Sequence, residues 1–116
     1  MFRYIVIGTY NDQGAEGIVA GDSDRVAALE ALCNSVGANL VSADITRGNF
    51  DFWVILEADT FAQVAAMTLK ARASGAIAEV YTLESVDVEE IRSVAKGVQY
   101  TPPSGWSLST RFAKWC

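Results

Sequence analysis

The sequence predicts a single α+β domain with the order β-α-β-β-α-β, followed by a short terminal helix. Three observations carry this. Strand-like runs of period two alternate with two longer stripes of helical period. A turn signal, Gly48-Asn49-Phe50-Asp51, divides the middle of the chain into a hairpin. Finally, the runs around Val6 and Ile55 are apolar on both faces, whereas Val41, Ala43 and Ile45 alternate with Ser42, Asp44 and Thr46. Central strands are covered on both sides and edge strands on one, so these runs sort into centre and edge.

Phe2 to Tyr10 forms the first strand. Asn11-Asp12-Gln13-Gly14 and the small residues through Gly21 read as a loop. Asp22 or Ser23 caps a helix that reaches about Val36, with Val26, Leu29, Leu32, Cys33 and Val36 on one stripe, and Gly37 stops it. Strands then run from Asn39 to Arg47 and from Asp51 to Ala58. With Gly48 and Asn49 as a two-residue loop, Arg47 faces Phe50 and Ile45 faces Phe52. Val41, Ala43, Ile45, Phe52, Val54 and Leu56 then share a core face, and Ser42, Asp44, Thr46, Asp51, Trp53 and Ile55 share the opposite one. A bulge in the turn would exchange the two. Thr60 caps a second helix, Gln63 completes a capping box, and Phe61, Val64, Thr68 and Ala71 point inward before Gly75 ends it. Ala76 to Leu83 is the fourth strand. Ser85-Val86-Asp87 opens a third helix, with Glu89 and Glu90 in its first turn and Ile91, Val94 and Ala95 inward. This order is the split βαβ of ferredoxin-like folds, a four-stranded antiparallel sheet with the first and third strands in the middle. Residues 1–97 are expected to form this domain, and 98–116 an extended tail carrying Trp106 and Trp115.

Composition removes several classes of function. The chain is 51% hydrophobic with only two prolines in 116 residues, which argues against disorder. No apolar run approaches the ~18 residues of a membrane span, and the start lacks the pattern of a secretory leader, so the expected location is the cytoplasm, away from membranes. Nine basic residues against fourteen acidic give a net charge of −5, with no basic cluster, so nucleic acid is not an expected partner. Histidine is absent, which excludes histidine-based triads and the commonest metal sites. Cys33 lies on a helix stripe and Cys116 at the last position, so no disulfide framework is read, and Cys33 is an apolar filler with no base to activate it. Gly14-Ala15-Glu16-Gly17 lacks the spacing and the lysine of a phosphate loop. No cofactor and no metal are expected, since a metal would need a carboxylate cluster drawn from Asp12, Asp44 and Asp51 and a hard cation that takes oxygen ligands.

The face opposite the core is too apolar for water. Trp53 and Ile55, with Tyr4 and Val6 or their alternates on the first strand, leave a patch of the kind that marks an interaction site. The expected partner is a second copy, sheet against sheet, in a homodimer or a higher oligomer.

Tyr10-Asn11-Asp12-Gln13-Gly14 after the first strand, and Gly48-Asn49-Phe50-Asp51 before the third, resemble the GYD domain family over residues 2 to about 96. The resemblance implies a dimeric α+β barrel built on a ferredoxin-like monomer, and it implies no particular reaction. Phe50 stands where the family motif has tyrosine, so a phenol hydroxyl is missing here.

Asp51 is the sharpest single candidate. As an acid at a pocket mouth beside Trp53, with its pKa raised by desolvation, it could exchange protons near neutrality. As a turn residue it accepts hydrogen bonds from turn amides and the Thr46 hydroxyl, and this is the stronger reading. Tyr10 is the second candidate for catalysis, at the head of a loop with Asp12 and Gln13. Tyr4 and Trp53 could floor a pocket for a planar ligand or pack at the dimer interface with Val6 and Ile55. Asp44 is a ligand anchor or an edge-strand carboxylate that discourages strand pairing. Arg3 and Arg47 could clamp an anion, although each alone reads as a surface charge.

These readings favour a homodimeric binding or accessory protein that takes a small apolar or aromatic ligand between the sheet and its partner or helices. A cofactor-independent monooxygenase or isomerase is the alternative, by analogy of fold only. A structural or regulatory module that docks through its tail is the third.

Overall fold

The computed structural model describes residues 1–21 and 24–103. The expected caps Asp22 and Ser23, and the tail from 104 with Trp106 and Trp115, lie outside the described residues. The chain divides into two compact units, Met1–Ser85 and the segment from Val86 onward.

The first unit is a four-stranded antiparallel sheet in the order β2-β3-β1-β4, formed by β1 (Phe2–Tyr10), β2 (Asn39–Ile45), β3 (Phe52–Ala58) and β4 (Ile77–Ser85). The expected α+β, ferredoxin-like arrangement is the observed one, with β1 and β3 in the centre. Helices α1 (Asp12–Ala20) and α2 (Arg25–Ser35) follow β1, and α3 (Phe61–Ala73) follows β3. The core is Tyr4 and Val6 of β1, Phe52, Val54, Leu56 and Ala58 of β3, Cys33 and Ala38 at the end of α2, and Val64 and Met67 of α3. Burial raises the Cys33 thiol pKa, with Glu30 adding to the effect, so this cysteine is an inert filler.

Near the hairpin the pairing falls as the sequence requires, although Ile45, expected in the core, is 64% exposed. Ile45 pairs with Phe52, Asp44 with Trp53 and Ala43 with Val54. The turn itself differs. Only Gly48 has positive φ, at 126°, and Asn49 does not, so the two-residue turn with Arg47 facing Phe50 is not formed. Instead a longer loop is closed by Thr46 N–H donating to the Asp51 carbonyl at 2.8 Å, and by the Thr46 hydroxyl donating to the Phe50 carbonyl. Further along β2 a bulge intervenes, for Leu40 pairs with Leu56 and Ser42 with Ile55. The extra residue, Val41, is pushed out of its expected core position and is 44% exposed. Leu40, the larger side chain, takes the place over Leu56.

The segment expected to be a loop is in part the helix α1. The Asn11 side chain caps it by accepting from Gly14 N–H at 2.9 Å, while its amide donates to the Gly75 carbonyl. Gly21 closes it in the left-handed region. A β-carbon on Gly14 would come within 2.3 Å of the Ala76 carbonyl, so glycine alone lets α1 settle on the turn before β4. α2 is capped by Asp24, whose side chain accepts from Ala27 N–H at 3.1 Å. In α3 the capping box of Thr60 and Gln63 is present, and the Gln63 amide also donates to the Val36 carbonyl at 2.6 Å, tying α3 to the end of α2. Of the expected inward stripe, Val64 is fully buried, and Thr68 and Ala71 are partly so. Phe61 is 57% exposed, and Met67 fills the inner place instead.

The second unit contains α4 (Val88–Ala95), capped by Asp87 and carrying an ion pair between Arg92 and Glu89. Ile91 and Val94, expected inward, are exposed, since a helix this short has no second layer of its own to pack on. Among the described residues no helix is long and apolar enough to cross a membrane.

Gly8 sets the tightest approach in the sheet. A β-carbon there would lie 2.3 Å from the Glu79 carbonyl and 2.7 Å from the Phe52 ring. Gly8→Ala is therefore expected to lower unfolding free energy by roughly 3 kcal/mol, the upper end of overpacking costs, as read by urea denaturation.

Candidate functional site

The first turns of α2 stand off from the β2–β3 hairpin and leave a cavity of about 380 Å³. Val26 and Leu29 form one wall, and Ala43, Ile45, Phe52 and Val54 form the other. Arg25 completes the lining, and Asp44 and Trp53 border it from strand positions whose side chains alternate to the opposite face of the sheet. A second, wholly apolar space of about 80 Å³ continues between α2 and α3, and shares Leu29, Phe52 and Val54 with the first. The gap exists because α2 buries only Cys33 fully, near its C-terminal end, while its N-terminal turns present Val26 half exposed.

Arg25 sits where α1, α2 and the end of β1 meet. Its guanidinium carbon lies 5.6 Å from the centre of the Tyr10 ring, and Nη2 donates to the Gly14 carbonyl at 3.0 Å. The Tyr10 ring packs in turn on Phe52, with centroids 5.0 Å apart. Burial raises the Tyr10 pKa; Arg25 acts against this and Asp51 with it. Tyr10 therefore stays a neutral phenol at physiological pH.

Asp51 is engaged by backbone. Its Oδ2 accepts from Tyr10 N–H at 3.0 Å, and its own N–H donates to the Gly8 carbonyl at 2.8 Å. These bonds lie where the β1–β4 register shifts between Thr9 and Tyr10, a place that frees a backbone donor. The hydrogen-bonding reading of Asp51 holds with different partners, because the Thr46 hydroxyl goes to Phe50.

The sequence-derived site residues separate into three places. Asp44 and Trp53 pair beside the cavity, on strand positions that face the open side of the sheet. Tyr10 and Asp51 adjoin each other at the end of β1. Tyr4 belongs to neither group, since it is six residues from Tyr10 on the same strand, roughly 20 Å away at ~3.3 Å per residue. It is 2% exposed, pairs with Leu56 and packs near Phe61 with ring centroids 6.2 Å apart. Tyr4 and Val6 are thus core residues on the helix side, where expectation set them beside Trp53 and Ile55. The alternates, Ile5 and Ile7, pair with Ile55 and Trp53 and share the open face with them. Tyr81 and Leu83 of β4, paired with Ile7 and Ile5, extend that row. Arg3, at one end of it, is exposed, as is Arg47 in the turn. Among the described residues no group of three or more His, Cys, Asp or Glu gathers.

Arg25 was not a candidate by sequence. The available signal was its isolation, as the only basic residue between Arg3 and Arg47. Beside Asp24 it reads as an ordinary helix start.

If Asp51 serves as an acceptor, Asp51→Asn keeps an oxygen for Tyr10 N–H and loses little stability, whereas Asp51→Ala strands that donor and costs about 1–3 kcal/mol. Paired urea denaturation curves of the two variants measure this difference.

Comparison with known proteins agrees with the fold. The chain resembles the crystal structure of FFRP-DM1, with a TM-score of 0.51 at 17% identity over 74% of this chain and 100% of that one. It is also similar to hypothetical protein PHS023 from Pyrococcus horikoshii, with a TM-score of 0.48 at 16% identity over 74% of this chain and 90% of that one. At 17% identity the first likeness speaks for the fold alone, and the second carries no argument. No curated protein matches the sequence. The GYD domain model, in contrast, matches residues 4–95, which take in most of β1, all of the other three strands and α4. The chain belongs to the GYD domain family.

Proposed function

We propose that this chain is a small-molecule-binding protein that works as a homodimer. It holds an apolar or aromatic ligand in the cavity under α2 and meets its copy through the open face of the sheet. The observation that carries the binding role is the cavity of about 380 Å³ beside the core, with six apolar side chains among its nine lining residues, counting Val26, Leu29, Ala43, Ile45, Phe52 and Val54. Small-molecule sites are concave, mostly apolar and of this order of size.

The dimer role is supported by the row Ile5, Ile7, Trp53, Ile55, Tyr81 and Leu83, in which Tyr81 and Leu83 are 49% and 52% exposed. Contiguous apolar surface of this kind is stabilised by a partner. Turnover would require an acid or base free to act. Asp51 is held by the Tyr10 amide, which favours binding over catalysis.

Two experiments test these roles. The neutral fluorophore N-phenyl-1-naphthylamine is expected to brighten on mixing with the protein, and Ala43→Phe, which fills the cavity, is expected to weaken its binding about tenfold or more, a loss of ~1.4 kcal/mol. Brightening that persists unchanged in Ala43→Phe would put the dye elsewhere and remove the binding role. Ile55→Lys sets a charge in the middle of the open face, and sedimentation velocity is expected to show a dimer for the wild type and a monomer for the variant. A wild-type monomer at high micromolar concentration would overturn the dimer.

A further inference from the structure

The cavity has a charged residue in its lining, Arg25. Arg25 is partly buried, and its Nε is sealed from water with no acceptor. Among the described residues its side chain makes one hydrogen bond, to the Gly14 carbonyl, and no ion pair. A guanidinium offers five donors and cannot give up its charge, so a partly buried one with no carboxylate partner among the described residues is favoured by the arrival of an anion.

The guanidinium is also seated. The Gly14 carbonyl holds Nη2, the Tyr10 ring stands beside the group, and Gly17 leaves the space it occupies. A β-carbon on Gly17 would come within 2.6 Å of Nη2. Helix α1, with its two glycines, thus fixes a cation at the edge of an apolar cavity. Preorganised charge of this kind gives affinity because little freedom is lost when the ligand binds.

Resting on the ligand-binding reading of this cavity, we propose that its ligand is an aromatic or aliphatic monocarboxylate. The apolar body lies between Leu29 and Phe52, and the carboxylate meets Arg25. Among the described residues Arg25 is the one cation in the lining, so one carboxylate is matched and a second is not. No bond is made or broken in the ligand.

The test compares 1-naphthylacetate with 1-naphthylacetamide, which share ring and shape and differ in charge. Binding is followed by amide chemical shifts of Ala43, Phe52 and Val54 in the full chain. The expected result is that the acid binds about tenfold or more tightly than the amide, and that Arg25→Gln reduces the acid to the level of the amide while leaving the amide unchanged. Equal binding of acid and amide to the wild type overturns the carboxylate proposal and leaves the cavity reading standing. A preference for the acid that survives in Arg25→Gln also overturns it. Failure of both ligands to shift the cavity residues counts against the cavity reading itself. If Arg25→Gln does not fold, nuclear Overhauser contacts in the wild type decide the matter. Contacts from the ligand methylene to the Arg25 δ protons support the proposal, and contacts elsewhere only overturn it.

Discussion

Much of the first unit follows from the contact between the Phe52 ring and the bare α-carbon of Gly8. The two residues pair across β1 and β3, and no side chain on Gly8 could coexist with the ring and with the Glu79 carbonyl on its other side. This contact sets the phase of the central pair. With Phe52 inward, Val54, Leu56 and Ala58 follow on β3, and Val6 and Tyr4 follow on β1, by simple alternation. The same ring supports Tyr10 and lines both cavities, so one side chain joins the core, the end of β1 and the candidate site. A shift of one residue at this point would turn both central strands inside out.

How much of this could be read from the residues depends on whether the information was local. The Thr60–Gln63 capping box, the stop at Gly75 and the facing of Ile45 on Phe52 arise from neighbours in sequence, and all were legible. The phase of β1 was not, because Phe2 to Tyr10 is apolar on both faces and contains no alternation to decide between Tyr4 and Ile5. Only the pairing with β3 decides. Helix α1 was hidden for a related reason. Its two glycines lower its helical propensity, and its position rests on Asn11 bonding to Gly75 and on Gly14 touching Ala76, contacts far away in sequence.

The candidate site shows the same division. The pairing of Asp44 with Trp53 was legible because the hairpin places them, beside the cavity and on the open face. Arg25 was not, since its surroundings are assembled from Gly14, Gly17 and Tyr10 on other elements. Asp51, the residue with the most obvious chemistry, is chiefly a structural acceptor that ends β1. The residue with the least obvious signal, Arg25, has no ion pair among the described residues.

The two register breaks have a bearing on how the sheet ends. One lies at Val41, on the outer strand β2, and the other where the outer strand β4 meets Thr9 and Tyr10. An outer strand with an interrupted ladder and added local twist is a poor template for a further strand. Both borders of the sheet are thus spoiled for extension, and growth into ribbons or fibrils through backbone pairing is discouraged at each side. Whatever this protein gathers around itself is left to side chains.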